Sequence, residues 1–251
     1  MEILSEQRTQ RQTQILPQFQ LEWCSASSEE NVESLLQEIL RLRKICFPAI
    51  REVLSEADLT GKHLVIRNSE GMVCGAYRVT LSTQIKRFES EDDFVLNRFL
   101  KKEGIKAELA WACVHPDYRD GRAIHLLWRG LAEFFKTHHV RYVFGLASIC
   151  TEGSDKVLDI INFLKSHNYV MASDSIQARN GYFSQKALVM ERPQNSIKRR
   201  LLPSLLRAYL MAGALVCLQP VFDPDLDCYD FMTVLDVENV SASIVTHFDF
   251  K

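Results

Sequence analysis

Residues 108–130, ELAWACVHPDYRDGRAIHLLWRG, have the most chemically informative spacing in the chain. An apolar strand that carries one carboxylate, Glu108, is followed by a turn of basic residues and glycine and then by an amphipathic helix. A carboxylate can take a proton from an attacking group, and the backbone N–H groups at a helix start can bind a phosphate. The order therefore places a possible base beside a possible anion cradle, as a transferase with a phosphate-bearing acyl carrier requires.

The anion cradle is predicted in the turn at residues 118–123, YRDGRA. Two small residues leave its N–H groups accessible to a pyrophosphate or a phosphopantetheine phosphate, and two arginines add positive charge. A backbone N–H group at the end of the preceding strand is the natural oxyanion donor. A strand-to-helix turn with a solvated basic edge is the alternative. The residues predicted to bind the carrier are Val114, His115, Arg119, Gly121, Arg122 and Ala123.

Six acidic residues cluster near the end of the chain, at positions 223, 225, 227, 230, 236 and 238. Their D-P-D run can be interpreted as part of a metal site or as a glycosyltransferase motif. A bare D-x-D is a weak signal, because such carboxylates often form turns and helix caps. We therefore predict no metal site.

The composition is typical of a globular protein with one large or two small domains. The chain has 251 residues and a formal net charge of −2, which argues against a general nucleic-acid binder. Its seven cysteines are scattered and contain no C-x-x-C pair, so we expect reduced thiols rather than a disulfide framework or a zinc site. The start has no apolar signal segment and no run of 18 apolar residues occurs, which predicts a soluble, cytoplasmic protein.

The chemistry-bearing segment lies within an alternating order of strands and helices. Apolar residues at helical spacing predict helices over 30–46, 123–136, 157–166 and 201–211, and a short one over 49–56. Apolar or alternating runs predict strands over 63–67, 72–81, 107–115, 141–149, 186–190, 214–218 and 231–235. Residues 84–104, mixed in charge with a few apolar anchors, are predicted as a surface insertion with a helical piece. The order indicates an α/β sandwich with a mixed sheet.

Four motifs extend the interpretation from single residues to a family. The Gly121 and Ala123 spacing is similar to the carrier-binding loop of the GCN5-related N-acetyltransferase superfamily, with Tyr118 where glutamine or arginine is common. From about residue 41 onward, HPDYRDGRAIHLLWRGLAEFF, RYVFGLAS, LLPSLLRAYLMAGALV and PVFDPDLDCYDF resemble the bacterial ornithine–acyl-carrier-protein N-acyltransferases. That family is related to N-acyl amino acid synthases and acyl-homoserine-lactone synthases.

The resemblance implies a GCN5-related N-acetyltransferase-like fold with a mixed, splayed central sheet and a C-terminal extension. We expect a mobile arm over residues 1–25 and one acyltransferase domain over 26–251, with a core at about 30–192 and a family-specific segment at about 193–251. The implied reaction transfers a fatty acyl group, expected to be 3-hydroxyacyl, from acyl carrier protein to the α-amine of ornithine in lipid biosynthesis. The donor is acyl-phosphopantetheine or acyl-coenzyme A, and no permanently bound cofactor is implied.

The resemblance also assigns roles to residues of the central strands. Glu108 matches the acidic residue of a Glu-Leu-(Gly or Ser)-Arg motif and is expected to be the general base, with a salt bridge at the strand start as the alternative. Trp111 stands where arginine is expected. Trp111 would lie along the acyl chain or fill the core. Ser148, at the end of RYVFGLAS, would contact the amine or the thioester, or bond to backbone. Arg78 would hold the substrate carboxylate, or be an exposed strand-end arginine.

The acidic cluster is where the resemblance places a group that attracts a cationic amino acid, so Asp223, Asp225 and Asp230 are the expected substrate-binding residues. The basic residues at 198–200 suit an anionic membrane face, and they, or Arg119 and Arg122, suit an acidic carrier protein. The apolar stripe of the helix that follows fits core packing equally well, and we favour core packing with a peripheral membrane role as the further option. Two alternatives stay open: a coenzyme-A-dependent enzyme acting on another amine, and a non-catalytic carrier-binding module. A buried Glu108 without a cleft between its strand and the strand of Ser148 would favour the module.

Overall fold

The computed structural model of the chain describes residues 19–25, 32–51, 53–150, 154–172, 175–182, 199 and 202–241. The strand predicted over 186–190, residues 1–18 of the predicted arm and most of the basic cluster at 198–200 lie outside these ranges. The strands are β1 Gln20–Ser25, β2 Lys62–Arg67, β3 Val73–Leu81, β4 Phe94–Val95, β5 Ile105–Val114, β6 Val140–Ile149, β7 Gln177–Ala178, β8 Leu215–Val216, β9 Val221–Asp223 and β10 Cys228–Asp236. The α-helices are α1 Val32–Cys46, α2 Glu56–Thr60, α3 Asn97–Leu100, α4 Arg122–Thr137, α5 Ser154–Ser166 and α6 Ser204–Ala212.

Within the described residues, eight strands form one sheet in the order β1-β2-β3-β5-β6-β10-β8, with β9 paired to β10. The pair β5–β6 is parallel, and the other pairs of this sheet are antiparallel. The connection from β5 to β6 contains helix α4, as a parallel pair requires. The predicted mixed sheet is confirmed.

Helices cover both faces of this sheet. Consecutive residues of a strand point to opposite faces, and β2 shows the two environments directly. Leu64 packs under the apolar side of α4, whereas Val65 packs against α1. Helix α4 therefore fixes one face of the strand that carries Glu108, and α1 fixes the other.

The C-terminal segment completes the sheet rather than lying apart from it. Strand β10 pairs antiparallel with β6 from Tyr229↔Ile149 to Asp236↔Tyr142. Helices α5 and α6 pack together with residues of β6 and β10 in one apolar cluster. Because β10 lies beside β6, its polar residues can reach the same space as those of β5 and β6.

The helical piece predicted within residues 84–104 is present, but the segment is packed into the fold and is not a surface insertion. The segment contains a 3₁₀ turn, Glu89–Asp92, and helix α3, and its apolar residues pack on β6 and β10. Four buried side chains anchor the segment, and three of them are aromatic, so that their burial is strongly favourable. They are Phe88, Phe94, Leu96 and Phe99, which pack with Phe144 and Met232.

Two further boundaries differ from the predictions. The last six residues of the predicted arm form β1, since Trp23 stacks on Phe134 of α4 and the strand pairs with β2 along its whole length. The short helix predicted over 49–56 lies at Glu56–Thr60 instead, because Ser55 and Asp58 form a capping box that starts it there. Among the described residues, no helix has the length and apolarity to span a bilayer.

Candidate active site

Strands β5 and β6 separate where Leu109 faces Gly145. They pair in parallel up to that position, and no further ladder joins them within the described residues. A Cβ at Gly145 would lie 2.2 Å from the Leu109 carbonyl oxygen, so glycine is required for this close approach. Strand β5 continues to Val114 and β6 to Ile149. A gap therefore opens in the middle of the sheet.

A cavity of about 330 Å³ occupies this gap. Its walls come from β5, β6, the 84–104 segment and the region around β9 and β10. Apolar side chains on its wall include Phe47, Leu146, Leu205 and Leu226. Five of the predicted site residues line the cavity: Glu108, Trp111, Ser148, Asp223 and Asp230.

Glu108 is 3% exposed and is held by the 3₁₀ turn of the 84–104 segment. Its Oε1 accepts the backbone N–H of Ser90 at 2.9 Å, and its Oε2 accepts that of Glu89 at 3.3 Å. Burial raises the pKa of Glu108, against the hydrogen bonds from Ser90 and the charge of Arg78. A carboxylate oriented in this way and with a raised pKa is suited to accept a proton inside the cavity.

Trp111 lies in a β-bulge of β5. The register with β3 slips between Ala76 and Arg78, so that Trp111 and Ala112 together oppose Tyr77. The φ of Trp111 is 56°, a left-handed conformation that is uncommon for a bulky side chain. Backbone strain of this kind occurs often at functional sites. The bulge turns the tryptophan toward the cavity wall.

The Trp111 ring forms an apolar wall with a cation behind it. Its centroid lies 6.0 Å from that of Phe47, and the Arg43 guanidinium lies 4.7 Å from the ring centroid. The indole thus separates Arg43 from the cavity that it lines. Trp111 therefore lines the cavity and does not simply fill the core, and its contact with an acyl chain stays a prediction.

Both predictions for Arg78 are wrong, because its side chain is fully enclosed and ion-paired. Its Nη1 lies 3.1 Å from Asp58 Oδ1, and its Nη2 pairs with Glu89. Asp58 also binds Arg43, with Nη2–Oδ1 and Nη1–Oδ2 distances of 2.6 and 3.0 Å. An arginine sealed in this way is unavailable to a substrate carboxylate. It instead anchors Glu89, whose N–H group binds Glu108.

The buried ion network shifts the pKa of Asp58, the carboxyl group at its centre. Burial alone would raise the pKa of Asp58, but hydrogen bonds and charge from Arg43, with the charge of Arg78, hold it well below its usual range. Asp58 is therefore an anion between two buried cations. The network links α1, α2 and β3 directly behind the cavity.

Ser148 and Asp230 face each other across the β6–β10 pair. Asp230 is 6% exposed, and the Cys228 thiol lies 3.7 Å from its Oδ1. Burial raises the pKa of Asp230 to about 6, opposed by a hydrogen bond from Ser148 and assisted by the charge of Asp223. Ser148 therefore has a carboxylate partner at the cavity, which neither sequence-based alternative included.

The D-P-D run is divided between the cavity and the surface. Asp223 lines the cavity, whereas Asp225 is exposed and is absent from the described lining. The backbone N–H of Asp225 donates to Asp223 Oδ1 at 2.8 Å, so the run forms a turn. The prediction that Asp225 binds substrate is wrong because the turn points it to solvent.

In the part of the chain that the structure describes, one group of three residues has donor atoms that could hold a metal ion: Asp223, Cys228 and Asp230. These atoms lie within 4.8 Å of one another. Zinc and similar ions require a thiolate from cysteine. Burial raises the pKa of Cys228, with Asp230 adding to the shift, so the thiol stays protonated. The donor set therefore fits a metal poorly, and it leaves the two carboxylates for another cation.

The predicted carrier-binding loop lies at the start of α4, and its charges are satisfied within the loop. Arg119 Nε donates to the Val114 carbonyl at 2.9 Å. Asp120 accepts the backbone N–H of Arg122 at 2.9 Å and pairs with its guanidinium. Gly121 has φ 96°, and a Cβ there would meet no atom within 4 Å, so the helix start is open. An incoming phosphate would compete with Asp120 for the first N–H group.

Near the end of β5, where the oxyanion donor is predicted, one backbone N–H group is already used. The His115 N–H donates to the Cys74 carbonyl at 2.9 Å and is therefore occupied. The bulge at Trp111 and Ala112 interrupts the ladder instead, next to the cavity. A bulge leaves a backbone group unpaired, which suits an oxyanion.

Sequence reasoning missed the residues that come from the 84–104 segment. Glu89 and Ser90 supply N–H groups to Glu108, and Asp93 lines the cavity near Asp223. The run FESEDDF could have predicted this turn, since its polar, mostly acidic residues lie between two phenylalanines. Polar residues favour a turn, and the phenylalanines on either side can hold it in place by their burial. Its contact with β5 required the tertiary structure.

Residues 51–129 match the family described as Acetyltransferase (GNAT) domain, a range that includes Glu108 and the loop. The protein named L-ornithine N(alpha)-acyltransferase from Rhodobacter capsulatus is 28% identical over 176 residues, covering 67% of this chain and 66% of its own. The protein of that name from Brucella abortus is 25% identical over 184 residues, covering 70% and 65%. The chain thus spans just under two thirds of the length of these relatives.

Solved structures confirm the predicted fold class. The coenzyme-A-dependent acyl-homoserine lactone synthase BjaI aligns with a TM-score of 0.52 at 14% identity, over 92% of this chain and 88% of its own. The loading GNATL domain of CurA from Lyngbya majuscula aligns with a TM-score of 0.50 at 11% identity, over 88% and 98%. The chain has a GNAT-like fold, and the predicted resemblance to the ornithine N-acyltransferases is confirmed.

Proposed function

We propose that this chain is an N-acyltransferase that moves a fatty acyl group from a phosphopantetheine thioester to the α-amine of ornithine, in amino-acid lipid biosynthesis. The observation that carries the proposal is the buried Glu108 carboxylate, which lines a cavity where β5 and β6 separate. The same strand leads into the predicted carrier-binding loop. The GNAT domain match supports the reaction class, and the names of the curated relatives support the acceptor.

Glu108 is the proposed general base. An ammonium group must lose a proton before its nitrogen can attack a carbonyl, and a positioned carboxylate with a raised pKa takes up that proton. The nitrogen then forms a bond to the thioester carbon, whose oxygen becomes an oxyanion. Collapse of this intermediate breaks the C–S bond. Glu108 passes this first proton to solvent. It then takes the second proton from the nitrogen of the intermediate and gives it to the leaving thiolate, which yields the neutral amide and thiol and regenerates the base.

Backbone and hydroxyl groups around the cavity complete the proposed site. The bulge at Trp111 and Ala112 offers the N–H group for the oxyanion, in a cavity partly shielded from water. Ser148, held by Asp230, lies where it can orient the attacking nitrogen or the thioester. Cys113 is not proposed as a nucleophile, since its hydrogen bond with Cys46 and its burial raise its pKa well above the usual value.

The proposed donor is acyl carrier protein loaded with a 3-hydroxyacyl chain. The exposed side chains of Arg119 and Arg122 lie where they can meet an acidic carrier. Acyl-coenzyme A has the same pantetheine phosphate and is the alternative donor. The non-catalytic alternative required a buried Glu108 without a cleft, whereas Glu108 lines a cavity.

A lipid product suggests that the enzyme works at the inner membrane face. The basic residues at 198–200 would favour peripheral contact with anionic headgroups. Cosedimentation with phosphatidylglycerol vesicles, lost when these three residues are replaced by glutamine, is the expected result. Binding that does not change in the triple variant would contradict this contact.

The test of the proposed function is product formation by the pure protein. Carrier-bound and coenzyme-A-bound chains, each acetyl, hexadecanoyl or 3-hydroxyhexadecanoyl, are incubated with ornithine, and the products are identified by mass. The expected product is N-acyl-ornithine, formed fastest from the carrier-bound 3-hydroxyacyl chain. Faster transfer from coenzyme A would contradict the donor assignment. The absence of N-acyl-ornithine with every donor would contradict the function.

A further inference from the structure

The cavity wall has a large excess of negative charge. Six carboxylates line it: Glu89, Asp92, Asp93, Glu108, Asp223 and Asp230. The described lining contains no lysine, arginine or histidine. Glu89 and Asp92 are paired with arginines outside the lining, whereas the other four form no ion pair with a described residue.

Three of these carboxylates converge from distant parts of the chain. Asp93 comes from the 84–104 segment, Asp223 ends β9 and Asp230 lies on β10. Burial raises the pKa of Asp93, and the charges of Asp92 and Asp223 raise it further. The pKa of Asp230 is raised by burial and by Asp223 and Asp93 as well. Like charges held together in this way are stabilised by a cation among them.

The two guanidinium groups of the buried ion network are sealed away from the cavity, whereas that of Arg87, which pairs with Asp92 of the lining, is exposed to solvent. Arg43 and Arg78 have side-chain exposures of 2% and 0%, and both are bound by Asp58. Trp111 stands where the resemblance places an arginine, and its ring covers Arg43. The carboxylate of a bound α-amino acid would therefore meet carboxylates and apolar side chains in the described part of the wall.

We propose that this site recognises its acceptor through two ammonium groups and not through a carboxylate, so that primary diamines are acceptors. One amino group lies at Glu108, and the second ammonium lies among Asp93, Asp223 and Asp230. Ornithine fits with its carboxylate toward the cavity mouth. In 1,4-diaminobutane the two nitrogens are separated by the same four carbons as in ornithine, and the carboxylate is replaced by hydrogen. The inference rests on the acyl transfer proposed above.

The test compares three acceptors with one donor and the full-length wild-type protein. Ornithine has both amino groups and the carboxylate, 1,4-diaminobutane lacks the carboxylate, and 2-aminopentanoic acid lacks the second amino group. The expected kcat/KM for the diamine is within tenfold of that for ornithine or above it. For 2-aminopentanoic acid it is lower by roughly 100-fold, since buried carboxylates lose their cation.

The outcomes separate this inference from the proposed function. N-acyl-ornithine with a diamine kcat/KM more than tenfold below that of ornithine would overturn the inference and leave acyl transfer standing. Equal use of 2-aminopentanoic acid and ornithine would overturn it as well. No acylated product from any of the three amines would contradict the proposed function itself.

Matched aspartate variants locate the second ammonium. Asp93→Asn and Asp230→Asn should each raise the KM for the diamine at least tenfold, while thermal unfolding verifies that both are folded. Asp225→Asn, from the exposed part of the same D-P-D run, should stay within about twofold of wild type, as expected for a surface position. An equal rise in KM for Asp225→Asn would overturn the assignment of the second ammonium to the cavity.

Discussion

The predicted carrier-binding loop and the acidic cavity use charge in opposite ways. In the loop, Arg122 pairs with Asp120 two residues away, and Arg119 bonds the Val114 carbonyl. In the cavity, carboxylates from β5, β10 and the 84–104 segment meet without a cation in the described lining. The loop is a local structure with balanced charge at the surface. The cavity exists only through long-range packing, and the four of its six carboxylates that form no ion pair with a described residue are available to a ligand.

The largest expected effect is the loss of the ion network behind the cavity. Asp58→Asn leaves Arg43 and Arg78 without their shared carboxylate in a buried environment, and should lower the free energy of unfolding by about 3–5 kcal/mol. Urea unfolding measures the change. Asp120→Asn, the same substitution in the loop, should change stability by less than about 0.5 kcal/mol. Equal effects of the two would remove the contrast between the regions.

The same network predicts how the free energy of unfolding changes as the pH is lowered. The folded-state pKa of Asp58 lies below its unfolded value of about 3.9, so its stabilisation is present above that pH and is lost as pH falls through the folded-state pKa. In Asp58→Asn the stability should therefore fall less steeply on acidification than in wild type. A parallel decline in both proteins would contradict the ionised network.

Sequence reasoning located the loop and the central strands well, because their signals are local. The Gly121 and Ala123 spacing and the apolar run of β6 predicted their elements within one or two residues. The predictions for acceptor-binding residues failed where the contacts of a side chain depend on residues that are distant in the sequence. Arg78 gave no local sign that Asp58 and Glu89 would enclose it.

The pH dependence of transfer provides the next comparison. Glu108 must be ionised to accept a proton, and burial raises its pKa, so kcat/KM should fall about tenfold per pH unit below that pKa. This acid limb should begin at a higher pH than the usual glutamate value of about 4.3. Asp120→Asn should show the same decrease in kcat/KM at acidic pH, since the loop carboxylate takes no part in proton transfer. A rate that stays constant down to pH 4 would contradict the assignment of Glu108.

The smallest expected effect is a gain in affinity for the acyl donor. Asp120 occupies the first N–H group of α4, where a phosphate is expected to bind. Asp120→Asn removes a negative charge from that position and should tighten binding of coenzyme A several-fold, as the loss of an exposed repulsive charge allows. Calorimetric titration measures it, with Asp117→Asn as the exposed control. Weaker binding in Asp120→Asn would place the phosphate elsewhere.

The central claim is that Glu108 takes the proton of the amine in the cavity between β5 and β6. The most direct test measures kcat and donor affinity together for Glu108→Gln, with Glu103→Gln as an exposed control near the start of the same strand. The account predicts a kcat lower by at least about 100-fold in Glu108→Gln, as expected for a lost general base, with the Kd of an unreactive donor analogue within about twofold. A kcat close to that of Glu103→Gln, or an equal loss of donor affinity, would contradict it.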